Sequence, residues 1–280
     1  MMTGGNTNNY NNSKASDDNN VILIENKQGV CVITLNRANK HNAFNLPMYT
    51  GLIQALKNAD NDDNIKLAII TGNGEYFSTG NDLAITEGHG DLATGADKYA
   101  QLLQSFVAAF IDFRKPLIGA VNGPAIGIGA TILALMDAIW ASDSAYFYTP
   151  FTALGQSPEA CSSHTFPAIM GTIRANEMLM FNHKMGAQEA LEYGFVSRVV
   201  PKQEFRERVE EWVFGAKGLL NISYPKSMQT TKQLLRSATK RRILREINGE
   251  ECRVLRERWF SDECLQGLQK FFTRKLSSKL

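Results

Sequence analysis

Two stretches of this sequence set glycines where backbone amides can do chemistry. Residues 117–131 read Leu-Ile-Gly-Ala-Val-Asn-Gly-Pro-Ala-Ile-Gly-Ile-Gly-Ala-Thr. Leu117–Val121 reads as a buried strand, Asn122-Gly123-Pro124 is a turn signal, and the apolar run Ile126–Leu135 is long enough for a helix. Gly123, Gly127 and Gly129 thus lie where a strand hands over to a helix, and small residues there let another group approach the backbone. The first N–H groups of a helix have no partner within it and lie at the positive end of its dipole, which suits an anion or a developing oxyanion. Alone, the stretch equally fits a tight strand–helix joint with no ligand. A second stretch, Tyr76-Phe-Ser-Thr-Gly-Asn-Asp-Leu83, follows the strand-like run Leu67–Gly72. Two glycine-bearing turns, each after a buried strand, are what a two-donor oxyanion hole requires.

Phe77, Gly80, Asp82 and Leu83 match an F-x-x-G-x-D-L loop, and Pro116, Gly123, Gly127 and Gly129 match a P-x-x-x-x-x-x-G-x-x-x-G-x-G segment. In both, and in their order, the chain resembles the crotonase (enoyl-CoA hydratase/isomerase) superfamily over roughly residues 20–275. The resemblance implies an α/β fold, a spiral of β-β-α turns, with a C-terminal helical region that builds trimers or pairs of trimers. It implies an acyl-CoA thioester substrate and no separate cofactor, CoA being part of the substrate. The oxyanion donors become the N–H groups of Asn81 and Ile128. Substrate contacts fall to Thr79, Gly80, Asp82, Leu83 and Gly127. In the superfamily a loop corresponding to residues 36–44 cups the CoA nucleotide, with backbone near Ala43 at the adenine; Arg37, Lys40 and His41 are the basic side chains there. Phe271 and Lys275 fall where the family completes the CoA pocket, often from a neighbouring subunit; a helix face with a solvated lysine is the plainer reading of both.

Members of the superfamily differ in their acid–base groups, so carboxylates separate the activities. Hydratases hold a water between two glutamates; the matching positions here are Thr131 and Phe151, and neither side chain can act as a base. A different carboxylate, Glu159, stands in Leu154-Gly-Gln-Ser-Pro-Glu-Ala-Cys-Ser-Ser163, a stretch otherwise without charge. This segment resembles the peroxisomal Δ3,Δ2-enoyl-CoA isomerases, in which the glutamate of G-Q-S-P-E is the catalytic base. Alternatively Glu159 caps the next helix, because Ser157 and Pro158 are helix-start signals. One carboxylate suits an isomerase. Removing a C2 proton from a 3-enoyl thioester gives a dienolate whose charge reaches the thioester oxygen, where each amide donor is worth about 10² to 10³ in rate. The same acid can return the proton at C4. Apolar neighbours Phe151, Leu154 and Phe166 are expected to raise the Glu159 pKa. The rivals are another crotonase-fold acyl-CoA enzyme, hydratase or thioesterase, and a non-catalytic acyl-CoA-binding or scaffold member.

Other chemistries fit poorly. Gly155-Gln156-Ser157-Pro158-Glu159 begins like a nucleophile elbow but lacks its last glycine. His164 near Cys161 and Ser163 has no orienting partner in sequence. Gly127-Ile128-Gly129 lacks the rest of a dinucleotide fingerprint. Asp82 and Asp143 read as loop ties. The four cysteines (Cys31, Cys161, Cys252, Cys264) have no C-x-x-C spacing and no clustered histidines, so no metal site is expected and the thiols read as reduced. A net charge of +2 gives no reason to expect nucleic acid. No secretory signal is visible, so the sequons at Asn11 and Asn221 carry no meaning. The most apolar region, 117–141, is broken by Asn122, Pro124 and Asp137 and is no membrane span. The final Ser278-Lys279-Leu280 is a peroxisomal address read by an import receptor.

These residues need elements to hold them. Residues 1–20 are polar and read as a disordered leader. Val21–Ile24 and Val30–Leu35 form a hairpin, and a helix runs from about Pro47 to Ala59. Residues 84–96, with Gly88, Gly90 and Gly95, read as a loop, followed by a helix from about 97 to 113. Ala138–Ala141 and Ala145–Tyr148 are short strands. From Thr165 the pattern turns helical: about 172–182, 187–193, 203–217, 225–237, 240–258 and 262–274. The expected division is therefore a leader (1–20), a spiral core (21–200), a helical region (201–277) and the targeting tripeptide (278–280).

Overall fold

A computed structural model of the protein describes residues 20–82 and 92–277. The leader up to Asn19, Leu83, the glycine-bearing stretch to Asp91, the targeting tripeptide and the Lys275 side chain lie outside the described residues. The chain runs β1 (Ile22–Lys27), β2 (Val30–Leu35), α1 (Leu46–Asn61), β3 (Leu67–Gly72), α2 (Leu92–Asp112), β4 (Leu117–Val121), β5 (Ala125–Ile126) and α3 (Ile128–Thr131). It continues with β6 (Ala138–Ser142), β7 (Tyr146–Tyr148), α4 (Ser162–Met170), α5 (Thr172–Leu179), β8 (Lys184–Gly186), α6 (Ala187–Glu192) and β9 (Arg198–Val200). Helices α7 (Phe205–Phe214), α8 (Leu219–Ile222), α9 (Pro225–Leu235), α10 (Ala238–Arg258) and α11 (Asp262–Ser277) complete it.

The main sheet has the order β1-β2-β3-β4-β6-β9, antiparallel between β1 and β2 and parallel elsewhere. All five residues of β4 and the first four of β3 are buried, as expected of parallel strands covered on both faces. One face packs against α1 and α2 through Met48, Leu52, Leu103, Phe106 and Phe110, and α10 lies on α2. The other carries Ile69, Ile118 and Trp140 against Phe205, Val209 and Val213 of α7, with Trp140 and Trp212 stacked at 4.2 Å between centroids. A second sheet, β5-β7-β8, lies at the strand-to-helix turn.

Several boundaries move from the sequence expectation. Strand β1 extends to Lys27, because Gln28 and Gly29 both adopt positive φ (52° and 84°) and close a two-residue hairpin. Helix α2 begins at Leu92, inside the expected loop, with Ala96, Tyr99, Leu103 and Phe106 on its buried face; Gly95 and Gly90 disguised that period. The single helix expected from Ile126 is instead a strand pair at Ala125–Ile126, the one-turn α3 and a 3-10 turn over Ile132–Leu135. The helix expected after Ser157-Pro158 is α4, which starts at Ser162, and the short strands β8 and β9 lie where no strand is expected. Strand β9 is the last strand among the described residues, and α10 beyond it lies against α2. Helix α11 meets the turn Thr152–Leu154 so closely that a Cβ at Gly155 would stand 2.4 Å from the Cys264 nitrogen.

Candidate active site

The two glycine-bearing turns are zipped together. Ser78 bridges Ala125; the Phe77 N–H donates to Pro124 O at 3.0 Å and the Ile126 N–H to Ser78 O at 2.9 Å. Gly80 (φ 86°) then lies on the 126–127 backbone, where a Cβ would stand 2.9 Å from Ile126 O. Gly127 (φ 54°) caps α3 and lies 3.7 Å, measured from an added Cβ, from the Gly80 Cα. Residues 81 and 128 each follow one of these touching glycines. Among the described residues no group accepts from the N–H of Asn81 or of Ile128. Ile128 is the first residue of α3, so its N–H has no acceptor within the helix.

Glu159 reaches the same place. It is 2% exposed and its carboxyl lies beside the Asn81 side-chain amide, while its Oε2 is buried with no partner among the described residues. Asn81 Oδ1 in turn accepts from the Tyr49 hydroxyl, which lies 3.3 Å from the Tyr99 hydroxyl; Tyr99 packs on Trp259 at 5.1 Å. Burial first, and the Glu251 charge in the same sense, push the Glu159 carboxyl up to about 8 against the opposite pull of the Asn81 amide. Phe151 and Phe166 are buried and Leu154 half-buried, so desolvation takes the expected direction. Glu159 does not cap α4 with its side chain. The helix begins at Ser162, whose N–H and hydroxyl bond the Glu159 carbonyl, and the carboxylate at that N-terminus belongs to Glu251.

Thr131 is fully buried and its hydroxyl folds back on Gly127 O and Ile128 O; Phe151 is 3% exposed. No acid stands at either position. The loop 37–44 abuts the first turn, with the Phe44 N–H on Gly80 O (2.8 Å) and the Thr79 N–H on His41 O (3.1 Å). Within it Arg37 is half-buried, pairing with Asp82 at 2.6 Å and donating to Ala43 O at 3.0 Å, so this guanidinium and Asp82 act as loop ties. Lys40 is exposed. Phe271 is exposed on α11 with its ring against Phe272. Asp143 accepts from the Lys202 N–H and fastens the chain after β9. Among the described residues no three His, Cys, Asp or Glu side chains gather as metal ligands, and no helix is long and apolar enough to cross a membrane.

A family model described as enoyl-CoA hydratase/isomerase matches residues 25–277. The chain belongs to this family. Enoyl-CoA delta isomerase 2 of Rattus norvegicus is 47% identical over 255 residues, 91% of this chain and 64% of that protein. Enoyl-CoA delta isomerase 3, peroxisomal, of Mus musculus is 42% identical over 260 residues, 92% of this chain and 80% of that one. This chain therefore spans less than two thirds of the rat relative's length. A crystal structure of an enoyl-CoA hydratase/isomerase from Pseudoalteromonas atlantica T6c superposes with TM-score 0.80 at 29% identity, covering 91% of this chain and 97% of that one. The fold is thus the crotonase-like α/β arrangement expected from the two glycine motifs. In this enoyl-CoA hydratase/isomerase family member, Tyr49 and Tyr99 are the site residues that sequence reasoning missed. Their spacing with Met48, Leu52, Leu103 and Phe106 marks them only as core, although a buried tyrosine hydroxyl needs a partner.

Proposed function

We propose that this chain is a Δ3,Δ2-enoyl-CoA isomerase, converting 3-enoyl-CoA to 2-trans-enoyl-CoA in the oxidation of unsaturated fatty acids. The observation that carries the reading is Glu159: a buried carboxyl with a free oxygen, beside the side chain of the residue whose own N–H is one of two uncommitted donors. The thioester oxygen would accept from the N–H groups of Asn81 and Ile128. Glu159 Oε2 takes the C2 proton, negative charge spreads through the dienolate onto that oxygen, and the protonated acid delivers to C4. Burial excludes competing water and keeps the acid from losing its proton to solvent. No further cofactor is needed, because the electron sink is the thioester itself.

The names of the rat and mouse relatives support isomerisation, and threonine and phenylalanine at positions 131 and 151 disfavour hydration. The word peroxisomal in the mouse relative's name and the terminal Ser278-Lys279-Leu280 support import into the peroxisome through a receptor. Exposed apolar side chains, among them Ile173 of α5, Phe181 after it and Leu234 of α9, support assembly into a trimer or a pair of trimers. For the CoA moiety we assign the loop at Arg37, Lys40 and Ala43, with Phe271 and Lys275 completing it.

Two rates measured side by side test the reading. Purified chain should convert 3-enoyl-CoA, followed by absorbance of the conjugated product, and should hydrate 2-enoyl-CoA far more slowly. Hydration as fast as isomerisation would favour the hydratase, and binding of acyl-CoA with neither rate would favour the non-catalytic member.

A further inference from the structure

Immediately after Glu159 the backbone does something that side chains other than glycine avoid. Ala160 and Cys161 both sit in the left-handed region, at φ 57° and 62°. A side chain is strained there, so a pair of such residues persists only where its surroundings hold it. The hold comes from a helix some ninety residues further along. Glu251 of α10 is 7% exposed, its Oε2 accepting from the Cys161 N–H at 2.6 Å and its Oε1 from the Ser163 N–H at 2.9 Å. The Cys161 thiol also donates to Leu244 O of α10 at 3.2 Å. The same helix is fastened to α2, the helix of Tyr99, by Asn248 Nδ2 on Gln104 O at 2.9 Å.

We propose that Glu251 is a positioning residue for Glu159: its carboxylate fixes the left-handed turn that aims the base and sets a second negative charge beside it. The inference rests on Glu159 being the base of the proposed isomerase. Burial raises the Glu251 carboxyl, and the two N–H groups donated to it at the start of α4 oppose that and favour its ionised form. An ionised neighbour disfavours a second carboxylate, so Glu159 stays protonated to higher pH and is the stronger base once ionised. The charges around the pair are few. Tyr49 of α1, Tyr99 of α2 and Cys252 of α10 feel the Glu159 charge; His164 of α4 and Cys252 face Glu251, and Arg236, ahead of α10, faces Cys161.

The test titrates both carboxyls directly, with 13C-labelled glutamate, in the wild-type chain, in Glu251→Gln and in Glu159→Gln, beside kcat/KM for 3-enoyl-CoA against pH. In Glu251→Gln the Glu159 carboxyl should titrate lower by ~1 pH unit, the acid limb of kcat/KM should follow it, and plateau kcat should drop as the turn loosens. A cap with only a structural role lowers the plateau and leaves the limb in place. Coupling is reciprocal, so in Glu159→Gln the Glu251 carboxyl should titrate lower by the same amount, and this arm decides if Glu251→Gln does not fold. Unmoved titrations in an active enzyme overturn the role of Glu251 and leave the isomerase reading intact. Shifted titrations in a chain that does not isomerise uphold the coupling and overturn the reading.

Discussion

A carboxyl that ionises only near pH 8 leaves two separate marks on the protein. The first is kinetic. A general base must be ionised to take a proton, so kcat/KM should rise with pH and level off above about 8, with roughly a tenth of the plateau activity at pH 7. A pH–rate profile with its acid limb near 4.5 would contradict the burial of Glu159 as described. The second is thermodynamic. The folded pKa is raised, so the contribution of Glu159 to stability is complete below its unfolded value of about 4.5 and is lost as pH climbs through about 8. At 1.36 kcal/mol per unit the loss is roughly 3 kcal/mol by pH 7. Chemical denaturation should therefore show the wild-type chain losing stability between pH 5 and pH 7 by more than Glu159→Gln does. Identical slopes in the two proteins would mean that the carboxyl titrates normally.

In the proposed mechanism the contact between Gly80 and Gly127 places the amide donors, so the test at the scale of elements is to wedge the two turns apart. Gly80→Ala puts a Cβ about as close to the Ile126 carbonyl as 2.9 Å, at a φ of 86° that alanine resists. Misaligning one donor should lower kcat about 10²-fold or more, and the strain should cost about 1–3 kcal/mol in a melt. A variant with unchanged kcat would remove the turns from the mechanism. Both turns were legible in the sequence because each follows a continuous apolar strand and ends in glycine, signals that lie within a dozen residues. Glu159 stood out as a lone charge in an uncharged stretch, while the proposed donors Asn81 and Ile128 came with the superfamily resemblance. What escaped notice depends on distance along the chain. Tyr49 and Tyr99 lie on apolar helix faces and acquire meaning only where α1 and α2 meet Asn81. Glu251 is one acid among many on a charged helix, and nothing local says that it alone turns inward. The one-turn α3 was overcalled because an apolar run carries no mark of where Gly127 and the second sheet interrupt it.

The whole molecule sets the base between layers: β4 and the turn after it on one side, α1 and α2 on another, and α10 closing over the turn that follows Glu159. Its C-terminal helices thus complete the site, while apolar side chains stand exposed on α5 and the turn after it, with Ile173 and Phe181 each about 70% exposed. Sedimentation equilibrium should report three chains or a multiple of three, and Phe181→Asp should shift the distribution toward single chains. A monodisperse monomer would refute the assembly. The central claim is narrower: Glu159 alone moves the proton while two backbone amides hold the charge. The most direct measurement is appearance of conjugated product from 3-enoyl-CoA by Glu159→Gln, with acyl-CoA binding measured in the same preparation. The account predicts a loss of about 10⁴-fold or more with binding retained; activity within tenfold of wild type would contradict it.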